Sequence, residues 1–423
     1  MKPLLILAFK SAWARRLTLG IVLISITVST ALLLAVERVR GDARAGFAQS
    51  VSGIDLIVGA RTSPIQLMLY AVFHTGTVTQ NMKMDSFDSI AAHPAIHSAI
   101  PLSLGDAHQG YPVLGTIIDY FTEVRVGAEQ VISFKQGRAF NSKIEGLYEA
   151  VLGHTIAKEL GYQIGDHITL SHGPGALSPQ HSDKPFTVVG ILAPTGTPID
   201  RTVHVQLAAI TAIHLDWVGG APVPGLKIPA DLARKFDLRP KEITAVLVRL
   251  KNRSDIFKLQ RQINGFPTEA LVAVMPGVAL DELWQTLAGI EQTLLAISLL
   301  VSLIGLAGLA ATLLAGLNER RRELAILRAL GAGPRDIFLL LTIEGLLITT
   351  LGIIMGSGLL IACIAIFAPW IQATFGVMIS WQSLSQNELC LITVIWLTGL
   401  LASLVPGWRA WRLSLVDGLT PKY

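Results

Sequence analysis

Four long runs almost free of charge constrain this chain more than anything else in it. Residues 17–36 carry no charged side chain over 20 positions, 292–317 none over 26 and 389–406 none over 18, while 337–368 has a single charge, Glu344, in 32. A helix rises about 1.5 Å per residue and a bilayer core is about 30 Å thick, so roughly 20 apolar residues make a span. In chain order the first three runs reach or exceed that length. The fourth falls just short, with Trp408 beyond it as an interfacial anchor. Only 15% of the chain is charged and its mean hydropathy is +0.54, against about 25% charged for a soluble domain. A single large soluble enzyme, a disordered tail and a nucleic-acid reader are all excluded. Cys363 and Cys390 both lie in long apolar runs, so neither a disulfide framework nor a zinc ribbon can be drawn.

The first run is longer than the apolar core of about 7–15 residues in a cleaved signal peptide. Glu37-Arg38-Val39-Arg40 follows it without a small-residue cleavage site. An uncleaved anchor is expected. Charge placement then sets orientation. The segments before the first span, between the second and third, and after the fourth hold twelve Lys and Arg against four Asp and Glu. Residues 37–286 hold 22 positive and 23 negative residues, and the connector 369–388 has no Lys or Arg. Positive charge collects on the cytoplasmic side, which predicts cytoplasmic termini and a cytoplasmic 318–336 loop.

Residues 37–286 are long enough for one or two domains with their own cores. The pattern there is mixed α/β. Asp85-Ser86 is expected to cap a helix reaching Ala92, residues 111–119 read as a strand and 155–160 as a short helix. Residues 167–170, 186–192 and 243–250 read as strands, and Ser254 is expected to cap a helix through Ile263. The Ser-, Gly-, Pro- and His-rich stretch 171–185 is expected to be an exposed loop, and 219–229 a second loose region. All ten histidines fall in this part. His93-x-x-x-His97 is interrupted by Pro94, and His172 and His181 lie in the Gly/Pro loop. A zinc site needs three or four convergent ligands. No spacing here matches a ligand pattern, so surface histidines of a polar domain are the plain reading and no metal site is assigned.

No G-x-x-x-x-G-K-[ST] loop, G-x-S-x-G elbow or H-E-x-x-H pair occurs. The chain is therefore not expected to be an enzyme, and any ATP hydrolysis must come from another subunit. The most informative stretch runs from Asn318 to Ala332. Glu319 and Glu323 share a helical face, Leu324, Leu327 and Leu330 step along one flank, and Gly331 supplies a stop. Such a helix suits docking of a cytoplasmic protein, and composition alone leaves contact with anionic headgroups equally open.

Glu319-Arg320-Arg321-Arg322-Glu323-Leu324-Ala325-Ile326-Leu327-Arg328-Ala329-Leu330-Gly331-Ala332 resembles the E-R-R-R-E-[LI]-x-[IL]-L-R-A-L-G-A motif of the permease family that includes MacB, LolC/LolE and FtsX. Residues 10–16 are similar to that family's basic entry helix, and 153–170 with 186–192 to its extracytoplasmic core domain. Residues 406–415 resemble its closing P-x-x-R-A-x-R-L-x-P stretch, with Leu415 where proline is usual. The resemblance implies a membrane α-helical fold with four transmembrane helices and a large mixed α/β extracytoplasmic domain between the first and second. It divides the chain into an entry helix 1–16, spans 17–36, 292–317, 337–368 and 389–406, the domain 37–286, a coupling segment 318–336, a connector 369–388 and a tail 407–423. It implies pairing with a second permease, two cytoplasmic ABC ATPase subunits carrying ATP and Mg, an inner-membrane location, and a periplasmic adaptor, lipoprotein or substrate as further partner, with membrane lipid but no nucleic acid. Coupling falls to Glu319, Arg320, Arg321, Arg322, Glu323, Leu324, Leu327 and Arg328, and helix packing to Glu344, Gly352 and Gly356. Two alternatives stay open: an FtsX-like regulator that switches an extracytoplasmic partner, such as a cell-wall hydrolase, without transport, and a metal-linked binding module.

Overall fold

A computed structural model describes residues 16–319, 326, 328–329, 331–375 and 384–412, save 77–79, 128, 174, 176–177 and 219–220. Among the described residues, four helices are long and apolar enough to cross a membrane. They run Arg16–Ser50, Pro276–Glu319, Pro334–Phe375 and Gln386–Arg412. Two of them start at proline, whose missing N–H costs nothing in a first turn. The fourth, short by its apolar run alone, reaches 27 residues, about 40 Å, and spans with room to spare. The third continues to Phe375, beyond the expected end at 368.

The chain forms two compact units, residues 1–43 with 287–423, and 44–286. In the first, small residues let the helices approach. A methyl on Gly345 would collide with the Ser403 hydroxyl, and one on Gly399 with Thr349. Thr349 and Ser403 are fully buried, and each hydroxyl donates back to a carbonyl four residues earlier, at 3.0 and 2.7 Å. No polar group at that contact is thus left without a bond in an apolar setting.

The second unit is built on a ten-stranded sheet. Its strands are β1 (Leu56–Ala60), β2 (Ile96–His108), β3 (Tyr111–Thr116), β4 (Phe134–Gly137), β5 (Glu149–Leu152), β6 (His167–Ile168), β7 (Phe186–Leu192), β8 (Val203–Gln206), β9 (Ala245–Leu250) and β10 (Leu271–Val274). The order across the sheet is β10-β1-β9-β2-β3-β8-β5-β7-β4, with β6 on β7. The long strand β2 belongs to both halves. Its first part pairs with β9, Ile100 opposite Leu247, and its second with β3, Leu104 opposite Leu114. The register shifts between Leu104 and Ala107, and Gly105 there has φ +147, a backbone that a side chain would strain. One apolar core holds Val58, Ile90, Val246, Val248 and Leu259, another Val113, Leu152, Ile156, Phe186 and Val205, and a third, with Ile57, Leu247, Leu114 and Val151, runs across both halves.

Several local expectations need correction. The helix Met84–Ala91 is not capped by Asp85 or Ser86; the Glu269 carboxylate instead accepts from the Lys83 N–H at 3.0 Å and from the Ser86 hydroxyl at 2.5 Å. Ser254 lies in a 3-10 turn, Arg253–Asp255, ahead of the helix Ile256–Asn264, which has no side-chain cap. The 171–185 stretch is a loop with exposed residues, as expected, but it is also anchored. Ser171 bridges both Ala107 and Gln180, and the segment carries fully buried His181 and Lys184. Lys184 tolerates burial because its ammonium lies 2.8 Å from the Asp216 carboxylate. The histidines are not all on the surface either: His108, His181 and His204 are buried.

Candidate functional site: a polar clasp on the helix bundle

The expected coupling residues Arg320, Arg321, Arg322, Glu323, Leu324 and Leu327 lie outside the described residues. Glu319 is the last residue of the second membrane helix, and Arg328 is half-buried in a helical turn. That turn ends at Gly331, whose φ of +103 and N–H bond to the Arg328 carbonyl at 3.1 Å make the expected stop. The Asp336 carboxylate accepts from the Gly333 N–H at 2.8 Å and opens the third membrane helix.

The expected packing residues do face neighbouring helices. A methyl on Gly352 would press on Ile26, and one on Gly356 would lie 2.7 Å from both the Thr27 carbonyl and Thr30 Cβ. This Gly-x-x-x-Gly pair thus seats the third membrane helix on the first within one chain. Glu344, only 1% exposed, sits inside the same bundle.

At the end of the bundle away from Glu319, a polar clasp ties three helices together. Arg38, on the first, donates to Glu388, on the fourth, through Nε at 2.6 Å and Nη2 at 3.0 Å. Glu388 also accepts from the Ser385 N–H at 2.6 Å and is fully buried. Next to this pair, Glu37 accepts from the Asn387 amide at 2.8 Å and from Arg40 at 3.1 Å. Arg40 Nε lies 3.1 Å from Glu291 on the second helix. A planar guanidinium held by both carboxylate oxygens fixes angle as well as distance. The arrangement offers no nucleophile and no acid–base pair. What it does is lock the first, second and fourth helices in register, about 40 Å along the second helix from Glu319.

Sequence reasoning passed over these residues, yet a signal exists. Glu37 and Arg38 directly follow the first apolar run, Glu291 directly precedes the second and Glu388 directly precedes the fourth. Opposite charges at one level of a bundle are natural partners.

Two family models match in chain order. The MacB-like periplasmic core domain covers residues 17–266, more than half the chain, and the FtsX-like permease C-terminal region covers 295–415. The chain belongs to the MacB/FtsX-like permease family. Among curated relatives of this permease is the pyoverdine export ATP-binding/permease protein PvdT of Pseudomonas fluorescens (strain Pf0-1), 24% identical over 424 residues, or 98% of this chain and 58% of the relative. The macrolide export ATP-binding/permease protein MacB of Rhodospirillum rubrum is 27% identical over 278 residues, 64% of this chain and 38% of the relative. The permease therefore spans little more than half the length of the first relative and less of the second. The crystal structure of the periplasmic region of MacB from Actinobacillus actinomycetemcomitans is also similar, at 12% identity and a TM-score of 0.34, covering 57% of this chain and 97% of that one. As an ABC transporter permease of this family, the chain is a multi-pass membrane protein whose mixed α/β domain is inserted between the first and second helices.

Proposed function

We propose that this chain is the membrane subunit that passes ATP-driven closure of a partner ATPase to its own extracytoplasmic domain. One observation carries the reading: the periplasmic-core block and the FtsX-like block stand in one chain, and the second encloses the basic 318–336 segment. In this reading two permease copies, or this chain and a homologous permease, pair in a bacterial inner membrane with termini and segment 318–336 in the cytoplasm, as the twelve-to-four charge bias favours. Two ATPase subunits supply ATP and Mg. Arg320, Arg321, Arg322 and Arg328 meet carboxylates on them, Glu319 and Glu323 meet cations, and Leu324 and Leu327 fill an apolar groove. Spans poor in charge suit a lever better than a hydrophilic pore. The clasp formed by Arg38, Glu388, Glu37 and Arg40 makes three helices move as one at the far end. The load is a periplasmic or membrane-derived substrate: a lipoprotein, a lipid, a peptide or a small amphiphile. The exported compounds named for the relatives, pyoverdine and macrolides, favour the amphiphile.

The test is ATPase stimulation by the full chain reconstituted with its cognate ATPase. Losing one charged contact costs about 1.5–3 kcal/mol. Arg322→Glu or Glu323→Lys should therefore weaken association about tenfold or more and remove the stimulation. Association and stimulation both unchanged would refute the reading.

A further inference from the structure

The sheet unit gathers four side chains that the coupling reading does not use. Asp106 lies near the end of β2. His172 and His181 flank a tight excursion of the chain that is pinned at its base. The Ser171 N–H donates to the Ala107 carbonyl at 2.7 Å, the His172 N–H to Pro179 at 3.0 Å and the His181 N–H to Leu170 at 2.8 Å. His214 ends the helix Leu207–Ile213. Three segments distant in sequence thus converge, and one ligand atom from each of the four residues lies within 4.8 Å of the others.

The spacing is specific. His172 Nδ1 is 3.1 Å from His214 Nε2 and 3.3 Å from Asp106 Oδ1, and His214 Nε2 is 3.5 Å from the same oxygen. A tetrahedral ion with bonds of about 2.0–2.1 Å separates its ligand atoms by about 3.3–3.4 Å. Three edges of that tetrahedron are already in place.

The hydrogen bonding points the same way. His214 Nδ1 donates to the Ile210 carbonyl at 2.8 Å, which turns Nε2 toward His172 and Asp106. A histidine ligand is commonly oriented in this manner by a bond from its other nitrogen. His181 is fully buried, and neither of its ring nitrogens has a hydrogen-bond partner. Buried polar atoms are seldom left in that state. Asp106 Oδ1 is likewise buried with no aligned donor. The nearest ammonium, Lys184, is paired with Asp216 at 2.8 Å and Asp183 at 3.2 Å. Trp217 covers the His181 ring at 4.2 Å between centroids and closes one side.

We propose that Asp106, His172, His181 and His214 form a binding centre for one zinc-class divalent cation, fastening the 171–185 segment to β2 and to the helix end at His214. Three imidazoles and one carboxylate suit borderline metals, not calcium or magnesium. The competing account is a shared proton among Asp106, His172 and His214, which leaves both His181 nitrogens orphaned.

The experiment uses the full chain in detergent, stripped with a chelator and titrated with Zn(II) and with Co(II) as an optical probe. One equivalent per chain is expected, with the strong visible absorption of tetrahedral Co(II) and a raised thermal midpoint. His181→Asn and His172→Gln should each weaken binding at least tenfold, while His93→Asn and His167→Asn, outside the cluster, leave it unchanged. If His181→Asn does not fold, His172→Gln decides, because that side chain is 40% exposed. Absence of stoichiometric binding, octahedral Co(II) spectra, or equal affinity in His172→Gln would overturn the proposal. Metal binding is read on this chain alone, so it stands or falls separately from ATPase coupling.

Discussion

Arg38→Met is the most direct probe of the clasp. Glu388 is fully buried and the Arg38 side chain is 10% exposed, so neither charge is relieved by water. The substitution keeps much of the aliphatic stem and deletes two charge-assisted bonds, at 2.6 and 3.0 Å, from a carboxylate that cannot leave. Charged hydrogen bonds contribute about 1.5–3 kcal/mol each, and breaking one side of a buried pair costs about 3–5 kcal/mol. The two figures agree, so Arg38→Met should destabilise the bundle by about 3–5 kcal/mol. Glu388→Gln keeps the shape but only one acceptor oxygen for Arg38, and should cost about 1.5–3 kcal/mol. The double variant removes both charges and should cost clearly less than the sum, with a coupling of about 2–3 kcal/mol. The assay is denaturation of the purified full chain in detergent, run as a double-mutant cycle with ATPase stimulation measured alongside. Additive effects, or a cost below about 1 kcal/mol for Arg38→Met, the value of an exposed pair, would refute the claim that the clasp holds the helices in register.

Two further outcomes follow from the packing and the buried histidines. Gly356→Ala should destabilise by about 1–3 kcal/mol because its methyl meets Thr27 and Thr30, whereas Gly358→Ala, with open space around it, should be neutral or gain up to about 1 kcal/mol of helix propensity; equal effects in thermal melts would remove the close helix contact. Burial, with His74 nearby, pulls His204 down to about 3, so below the ordinary histidine range only the unfolded chain takes up this proton and stability falls as pH drops from about 6.5 toward 3. Between pH 7 and pH 5 the loss should reach about 2 kcal/mol, and His204→Phe, which keeps a ring against Tyr120 and Phe121, should show that much less; identical slopes in thermal midpoint would refute the assignment.

The helices were legible because transfer of backbone into hydrocarbon leaves so few solutions; uncharged runs such as 292–317 report them directly. Strands such as Phe186–Leu192 were legible from their apolar character. β2 was not. Its sequence, with Pro101 and Gly105 inside it, reads as broken, and only pairing with β9 on one side and β3 on the other makes it a strand. The clasp was half visible, since Glu37, Arg38, Glu291 and Glu388 sit at the ends of apolar runs, but which residues pair depends on helix rotation. Asp106, His172, His181 and His214 were invisible as a group, because a sheet crossover and a pinned excursion bring them together where no spacing rule applies.

The place of β1 has a consequence for synthesis. It lies between β9 and β10, with Ile57 opposite both Leu247 and Val274. The opening strand of the domain is thus flanked on both edges by strands made last. A chain emerging from the ribosome holds residues 56–60 without neighbours until the whole domain has been translated, and such distant pairings form slowly. Nascent copies of this permease therefore pass through a long interval in which an apolar strand has two open edges, and a holdase chaperone would find its target there.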